Sequence, residues 1–525
     1  MSPEAIRTLL IRADRVHAMS GGPAAPADAV LVEGSRVRRV GTWEELRSAA
    51  PSAERIDLRG TTITPGLTDS HVHLVEWALS RTEVDLGEAA SRDEAAMMVA
   101  ARARSGEGWI RGRGWDPNRW ALPPHRDALD RLVPDRPVLL QSHDMHSLWG
   151  NGRALWAAGI ERETPDPPGG RIERDAEGRP TGVVRDNAMP LLLRAAPDRG
   201  WAERRAALLD AQSALHRWGM TGVHTVEPDS LGLLESVRAD GELRVRVLQH
   251  LAKDRMDDAI RLGLRSGFGG PWIRIGGIKI FLDGALGSRT AWMREPYQRS
   301  SNRGLVTLEE DEFRDLVRQG SAAGLAMTVH AIGDAANDLA LDVLFGEGGP
   351  LQGPVPHRIE HVQLLGADRL GHPSLGRVIC SVQPSHLMTD WRAADAHWGR
   401  RARYAYAFRS MLDAGATLAL GSDAPVEPPD PRMGMYAAVA RLDPRGAPTG
   451  GWYPEERLTT LEALHGFTVG AARAAGDTRQ GRLGPGTFAD LVAWDRDPLD
   501  ASPDELLDMT CTLTMVGGET VWSDT

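Results

Sequence analysis

Short apolar runs recur through the middle of the chain and alternate with longer stretches whose apolar residues follow helical spacing. Trp201–Trp218 and Glu309–Ala323 are two of these helical stretches. Apolar runs separated by helices are typical of parallel strands joined by helical crossovers. Eight runs fit this pattern: Leu67–His73, Thr221–Val226, Arg244–His250, Arg274–Phe281, Ala326–Ala331, Arg358–Val362, Val378–Gln383 and Thr417–Leu420. The pattern predicts an α/β fold of the (β/α)₈ TIM-barrel type.

The predicted secondary structure at both ends of the chain differs from that of the middle and consists of short strands and turns. Leu9–Ala13 and Ala29–Val32 read as strands near the N-terminus, and Leu491–Trp494 and Cys511–Val516 read as strands near the C-terminus. Neither end has enough strand to bury a sheet face alone. We therefore predict that the two termini form one small composite β domain, made of residues 1–64 and 478–525. The barrel would then span residues 65–477.

The gap between the first and second barrel strands, about residues 105–200, is too long for a βα loop. Within it, Asp175–Gly178 predicts a hairpin turn between Arg171–Arg174 and Pro180–Val184. We predict an inserted subdomain over the C-terminal mouth of the barrel. Its tryptophans either form its core or, for one or two of them, line an apolar substrate pocket: Trp109, Trp115, Trp120, Trp149 and Trp156.

Composition and charge narrow the class of partner. The chain has 525 residues, 42% of them hydrophobic, and a net charge of −11 that is spread along its length. This acidic balance argues against nucleic acid or a membrane surface as a binding partner, because both are bound through basic patches. Cys380 and Cys511 form no disulfide framework, and neither a signal peptide nor a membrane-spanning run is recognisable. We expect a cytoplasmic protein that acts on a small molecule.

Candidate metal ligands stand at the ends of the predicted strands. His71 and His73 are two residues apart in one strand, so their side chains share a face about 7 Å apart and can bind one cation. An isolated pair of this kind would more often be two polar residues at a strand end. Asp69 on the same face would orient one ring. Because barrel strands end in one mouth, the convergence of further ligand-type residues favours a metal site: Lys279, His330, His361 and Asp423.

In this order these residues resemble those of the metal-dependent amidohydrolase superfamily. The surrounding motifs are similar to the amidohydrolase-3 group, often called YtcJ-like, which includes N-substituted formamide deformylases. They are spread over nearly the whole chain: Lys279–Gly284, Gly287–Ala291, His330–Asp334, Arg358–His361, Gln383–His386, Gly421–Pro425 and Gly484–Asp490. Two motifs within the insert, Gly114–Asp116 and Asp144–Ser147, are also similar to those of this group. Met145 departs from the group's pattern, which has glycine at this position.

The resemblance implies a divalent metal centre, with zinc as the expected metal and one or two ions per chain. His71 and His73 would hold the more buried ion, and His330 and His361 would hold the second. Two ions are favoured over one.

The resemblance also assigns roles to two further residues. Lys279 would be carboxylated and bridge both ions, because an ammonium has no lone pair to donate whereas a carbamate has two oxygen donors. In a one-ion site Lys279 would remain an amine or face the substrate as a cation. Asp423 would ligate the first ion and act as the catalytic base that handles the proton of the attacking water.

Candidate substrate contacts follow predicted strands or lie in the insert: His224, His386, His146, Asp283, Arg289 and Trp115. For the first two, support of the ligands or a surface position is an equal alternative. Asp283 and Arg289 would bind substrate or merely hold their loop.

The implied activity is hydrolysis of a non-peptide carbon–nitrogen bond by metal-bound hydroxide, for instance in an N-substituted formamide. The same centre could act on an ester, carbamate or cyclic amide, or act as a deaminase. A catalytically silent barrel used for assembly is the non-enzyme alternative. A homodimer is common among proteins of this type, but the sequence itself does not indicate the oligomeric state.

Overall fold

The computed structural model describes residues 7–21, 26–104, 108–116, 120–142, 147–167, 170–227, 229–347, 353–372 and 374–524. The chain divides into two compact units, one of Met1–Trp77 with Leu209–Thr525 and one of Ala78–Leu208. The second unit contains the predicted insert but begins earlier than the expected bound of about residue 105.

The first unit contains a sheet of eight parallel strands in which each strand pairs with the next along the chain. We label them β1 Leu67–Val72, β2 Met220–Thr225, β3 Arg246–Ala252, β4 Ile273–Phe281, β5 Met327–Ala331, β6 Arg358–His361, β7 Ile379–Val382 and β8 Thr417–Leu420. The predicted barrel is therefore confirmed. Every residue of β1, β2 and β5 is buried, although polar residues such as Asp69 and His224 interrupt the apolar ones.

The barrel is nearly closed between β1 and β8. The backbone N–H of Asp423 donates to the carbonyl of His71 at 2.7 Å, and the N–H of His73 donates to the carbonyl of Ala424 at 2.8 Å. These bonds place the residues that follow β8 directly beside the His-x-His segment.

Helices of the first unit pack around these strands. Their bounds are Leu231–Ala239, Met256–Arg261, Glu310–Ala323, Asp334–Asp342, His386–Trp398, Phe408–Asp413, Pro431–Ala440, Thr460–His465, Ala471–Ala474 and Pro503–Asp508. Two further helices, Leu74–Ser80 and Trp201–Arg217, run across the boundaries of the two units. Among the described residues, no helix has both the length and the apolar character needed to cross a membrane.

The two chain ends form two small sheets, as predicted for a composite β domain. One has the strand order Arg36–Gly41, Ala29–Glu33, Thr8–Arg12, Glu54–Asp57, and the other Arg15–Val16, Thr62–Pro65, Leu491–Trp494, Cys511–Val516, Glu519–Ser523. Thr62–Pro65 pairs antiparallel with Leu491–Trp494, which joins the N-terminal and C-terminal segments in one sheet. The helix Trp43–Ala49 begins after the N-cap Thr42. Cys380 and Cys511 are free and buried.

The second unit has its own sheet, in the strand order Gly170–Arg174, Pro180–Asp186, Ser147–Gly150, Val138–Ser142, Ile110–Trp115, Val84–Asp85. Its helices are Arg92–Ala103, Arg126–Leu132, Gly152–Ala157 and Met189–Leu193. The predicted hairpin at Asp175–Gly178 is confirmed by the pairing of its flanking strands. The rings of Trp115, Trp120 and Trp149 meet at centroid distances of 5.9 to 6.1 Å in the core of this unit.

Candidate metal centre

The candidate centre is built around the carboxylate of Asp423, which directly follows β8. Its Oδ1 lies 3.4 Å from Nε2 of His71 and 3.5 Å from Nε2 of His73. Asp423 has a φ of 60°, and a non-glycine residue in this region is held there only by its surroundings. The His-x-His pair therefore meets the predicted aspartate, and their donor atoms lie within 4.8 Å of one another.

A buried ion network supports the ring of His71. Its Nδ1 donates to Oε2 of Glu360 at 2.5 Å, and Oε1 of Glu360 lies 2.5 Å from Nε of Arg358. Burial opposes ionisation of Glu360, but Arg358 and His71 hold the pKa of this carboxyl well below its usual range. The hydrogen bond at Nδ1 leaves the Nε2 lone pair of His71 for a cation, as in many metal sites.

Asp69 has a different role from the one predicted. Its carboxylate accepts hydrogen bonds from the backbone N–H of His71 at 3.0 Å and from the N–H and Oγ of Ser422 at 3.1 and 2.6 Å. Asp69 therefore ties β1 to the segment that carries Asp423, and the ring is oriented by Glu360 instead. Burial raises the pKa of Asp69 to about 7.

A second group of donors lies on the other side of Asp423. His361 at the end of β6 and His386 at the start of its helix have nearly parallel rings, 6.2 Å apart between centroids. Nε2 of His386 is 3.8 Å from Oδ2 of Asp423, and one donor atom from each of the three residues lies within 4.8 Å of the others. His361 Nδ1 and His386 Nε2 are buried and have no hydrogen-bond partner among the described residues. Buried imidazole nitrogens of this kind next to a carboxylate fit a divalent metal ion.

His330, predicted as a ligand of the second ion, is near this group but makes other contacts. Its ring centroid is 4.5 Å from that of His361, while its Nε2 donates to the carbonyl of Gly284 at 3.1 Å. Among the described residues, the donor group around His361 and Asp423 includes His386. The sequence had predicted His330 as the partner of His361. Asp283 accepts hydrogen bonds from the backbone N–H groups of Trp292, Ile332 and Gly333, so it holds its loop.

Lys279 projects from β4 and is buried beside the same residues. Burial lowers the pKa of its amine to about 8, although Glu360 and Asp423 favour the charged form. Its Nζ lies 4.8 Å from the ring of Phe281, which is half exposed and has its ring centroid 5.0 Å from that of His330. Phe281 thus presents apolar surface next to the candidate ligands.

Burial favours the neutral form of three imidazoles at the centre, whereas Asp423 raises the pKa of His73 against the effect of burial. Burial lowers the pKa of His71 and lowers the pKa of His330 to about 3. The pKa of His361 is well below its usual value because of burial and the neighbouring His330. Neutral imidazoles have the lone pair that metal binding requires.

The remaining predicted substrate contacts have varied environments. His224 is buried, and its Nδ1 accepts a hydrogen bond from Nη1 of Arg358 at 2.9 Å. Arg289 is exposed, with a φ of 56°. Trp115 is fully buried in the core of the second unit, and its Nε1 donates to the carbonyl of Leu140. His146 and the departure at Met145 lie outside the described residues.

Comparison with known proteins identifies the family to which this chain belongs. The amidohydrolase family model matches residues 54–522, and a bacterial imidazolonepropionase-like composite domain matches residues 29–53. The chain is 32% identical over 516 residues to the putative amidohydrolase YtcJ of Bacillus subtilis (strain 168), covering 94% of this chain and 96% of that protein. It is 30% identical over 527 residues to an N-substituted formamide deformylase of Arthrobacter pascens, covering 94% of each. An uncharacterized metal-dependent hydrolase from Pyrococcus horikoshii OT3 has a TM-score of 0.81 at 27% identity, over 95% of this chain and 99% of that one.

The barrel and its cluster of imidazoles and carboxylate define a metal-dependent hydrolase. The chain belongs to the amidohydrolase family, in its YtcJ-like group. It is an enzyme of the metal-dependent amidohydrolase type, which uses a divalent metal, so the alternative of a catalytically silent barrel is not supported.

Proposed function

We propose that this enzyme hydrolyses a non-peptide carbon–nitrogen bond of a small molecule, with N-substituted formamides as the leading substrate class. The observation that carries the proposal is the buried Asp423 carboxylate, with imidazoles on both sides. The relative from Arthrobacter pascens, named an N-substituted formamide deformylase, supports this choice of bond.

We propose zinc as the metal, because imidazole nitrogens and a carboxylate oxygen are donors that zinc favours. His71, His73 and Asp423 would hold one ion, and His361 and His386 would complete a second position with Asp423. When bound, such an ion activates water at neutral pH and polarises the substrate carbonyl. A centre with two ions is favoured by the two donor groups.

Lys279 is proposed to be carboxylated. A buried ammonium next to a divalent cation is unfavourable, whereas a carbamate brings a negative charge. The lowered pKa of the amine supports this modification, since only the neutral amine can add to carbon dioxide.

Asp423 is proposed to carry the proton of the reaction. Burial opposes ionisation of its carboxyl, but His71 and His73 hold its pKa well below the usual range, so it is a carboxylate that can accept a proton. It would take the proton of the attacking water and deliver it to the leaving nitrogen, a role typically worth about 10²–10⁴-fold in rate. The two oxygens of this side chain face different groups of donors, Oδ1 towards His71 and Oδ2 towards His386.

A panel of N-substituted formamides, assayed for formate release by the zinc-loaded protein, tests the proposed bond. Esters, carbamates, cyclic amides and deaminase substrates form the comparison arm, since the same donors suit those reactions. We expect turnover of formamides that disappears on metal removal and returns when zinc is restored. No formate from any member, with turnover in the comparison arm, would refute the deformylase proposal.

A further inference from the structure

The two imidazoles on the far side of Asp423 are carried by segments that meet again a few residues later. His361 precedes Gln363 by two residues, and His386 precedes Asp390 by one helical turn. The side chains of Gln363 and Asp390 contact each other, with Nε2 of Gln363 donating to Oδ2 of Asp390 at 3.0 Å. The loop after β6 and the first turn of the helix are therefore joined next to the imidazoles they carry.

A third segment completes the junction. The hydroxyl of Tyr406 donates to the same Oδ2 of Asp390 at 2.7 Å, and the N–H of Tyr406 donates to the carbonyl of Gln363 at 2.8 Å. Burial and the Asp390 carboxylate raise the pKa of the Tyr406 hydroxyl, so it remains a donor. A single carboxylate oxygen thus accepts hydrogen bonds from two segments.

The backbone at this junction needs such support. His361, Val362 and Tyr406 have φ values of 72°, 42° and 51°. Non-glycine residues in this left-handed region are strained and persist only where surrounding contacts hold them. The bonds to Asp390 are among the contacts that hold the turn carrying His361.

The same helix provides a matched comparison. Asp395 lies further along it and accepts a hydrogen bond from Nε1 of Trp452 at 3.1 Å. This carboxylate also ties the helix to another segment, and within the part of the chain that the structure describes its hydrogen bond goes to Trp452 and not to the loop after β6. If Asp390 only tethered the helix, removing Asp390 or Asp395 should have similar effects. If Asp390 positions the imidazoles, only its removal should affect them.

We propose that Asp390 is a positioning residue that fixes the spacing of His361 and His386 for a divalent cation, through its bonds to Gln363 and Tyr406. The proposal rests on the metal centre of the proposed function. It adds a determinant of metal binding that touches neither the cation nor the substrate.

The first test is metal affinity. Zinc binding to the full-length Asp390→Ala variant, to Asp395→Ala and to the wild type is measured by competition with a chromophoric chelator. Loss of a residue that orients ligands typically weakens metal binding by about 10–100-fold, and we expect a Kd in that range above wild type for Asp390→Ala alone. Asp390→Asn, which keeps one acceptor oxygen, should restore part of the affinity. Equal zinc affinities for all four proteins would overturn the proposal.

The second test does not depend on metal. Crystal structures of metal-free Asp390→Ala and Asp395→Ala should show the ring centroids of His361 and His386 displaced from their 6.2 Å separation only in the first. If Asp390→Ala fails to fold, Tyr406→Phe removes one of the two bonds and takes its place in both tests. Displaced rings in Asp390→Ala, together with a wild type that itself binds no zinc, would support the positioning role and refute the proposed function. Unmoved rings, with zinc bound as tightly as in the wild type, would refute the positioning role alone.

Discussion

At the scale of single residues, burial decides the state of the centre as much as the identity of the ligands does. His71 and His361 are buried, and their pKa values are lowered, so they carry lone pairs at neutral pH. Asp423 is buried as well, but its histidine neighbours keep it ionised. We therefore expect the carboxylate, and not an imidazole, to accept the proton.

Asp423→Asn removes that acceptor and keeps an oxygen donor. We expect kcat/KM to fall by at least about 10²-fold, the lower end of the range for general acid–base catalysis, while the fold and much of the zinc remain. Steady-state kinetics with metal analysis of the same preparation would check this. Retained turnover would mean that another group is the base.

Glu360→Gln leaves the buried guanidinium of Arg358 without its charge partner. Breaking a buried pair in this way typically costs about 3–5 kcal/mol of unfolding free energy. The loss of the carboxylate on His71 should also weaken zinc binding. Urea unfolding and zinc titration measure the two effects, and Glu455→Gln at an exposed carboxylate is the control. Unchanged stability would contradict the ion network described for Glu360.

The sequence predicted His71, His73 and Asp423 as ligands from residue type and spacing, and the structure brings their donor atoms together. It did not predict the role of Glu360, which depends on β6 lying across the barrel from β1. The assignment of His386 as a substrate contact stays a prediction, and its place in a donor group with His361 and Asp423 was not predicted, because a histidine that begins a helix gives no signal of the direction in which its ring points.

At the scale of elements, the eight strands could be predicted because short runs rich in apolar residues alternate with helical stretches, and several of them end in a ligand-type residue. The bounds of Ala78–Leu208 could not, because that unit has its own sheet and core and no marked break in composition at residue 78. How β8 is held in place was also not visible in the sequence. Gly470, in the turn Gly466–Gly470, packs so closely on this strand that a Cβ would lie 1.9 Å from the carbonyl oxygen of Leu418.

Gly470→Ala tests that packing. The added methyl group must displace backbone, and overpacking of this kind typically costs about 1–3 kcal/mol of unfolding free energy. Because β8 leads to Asp423, zinc affinity should fall with stability. Gly200→Ala, where a Cβ meets nothing within 4 Å, is the control. Equal unfolding free energies for the two variants would show that the turn can move away at little cost.

At the scale of the whole molecule, buried histidines make stability depend on pH. Burial lowers the pKa of His216, whose Nε2 bonds the carbonyl of Arg244, to about 4. Between pH 6.5 and 4 the unfolded chain binds a proton at this residue that the folded chain does not. Stability from this group is therefore complete above pH 6.5 and is lost as the pH falls.

His216→Gln removes this titration while other groups are unchanged. The stability difference between wild type and variant should shrink by up to about 1.4 kcal/mol for each pH unit below 6.5. Chemical unfolding of the metal-free proteins at several pH values measures it, with the exposed His372→Gln as control. A difference that is constant from pH 7 to 4 would contradict a buried neutral imidazole.

The central claim is that His71, His73 and Asp423, distant in the chain, converge on one divalent cation. Anomalous diffraction at the zinc edge from crystals of the zinc-loaded protein tests it most directly. We predict a peak within about 2.0–2.2 Å of Nε2 of His71 and of His73 and of a carboxylate oxygen of Asp423. A fully loaded crystal with no peak among these three side chains, or with its zinc bound elsewhere, would contradict the account.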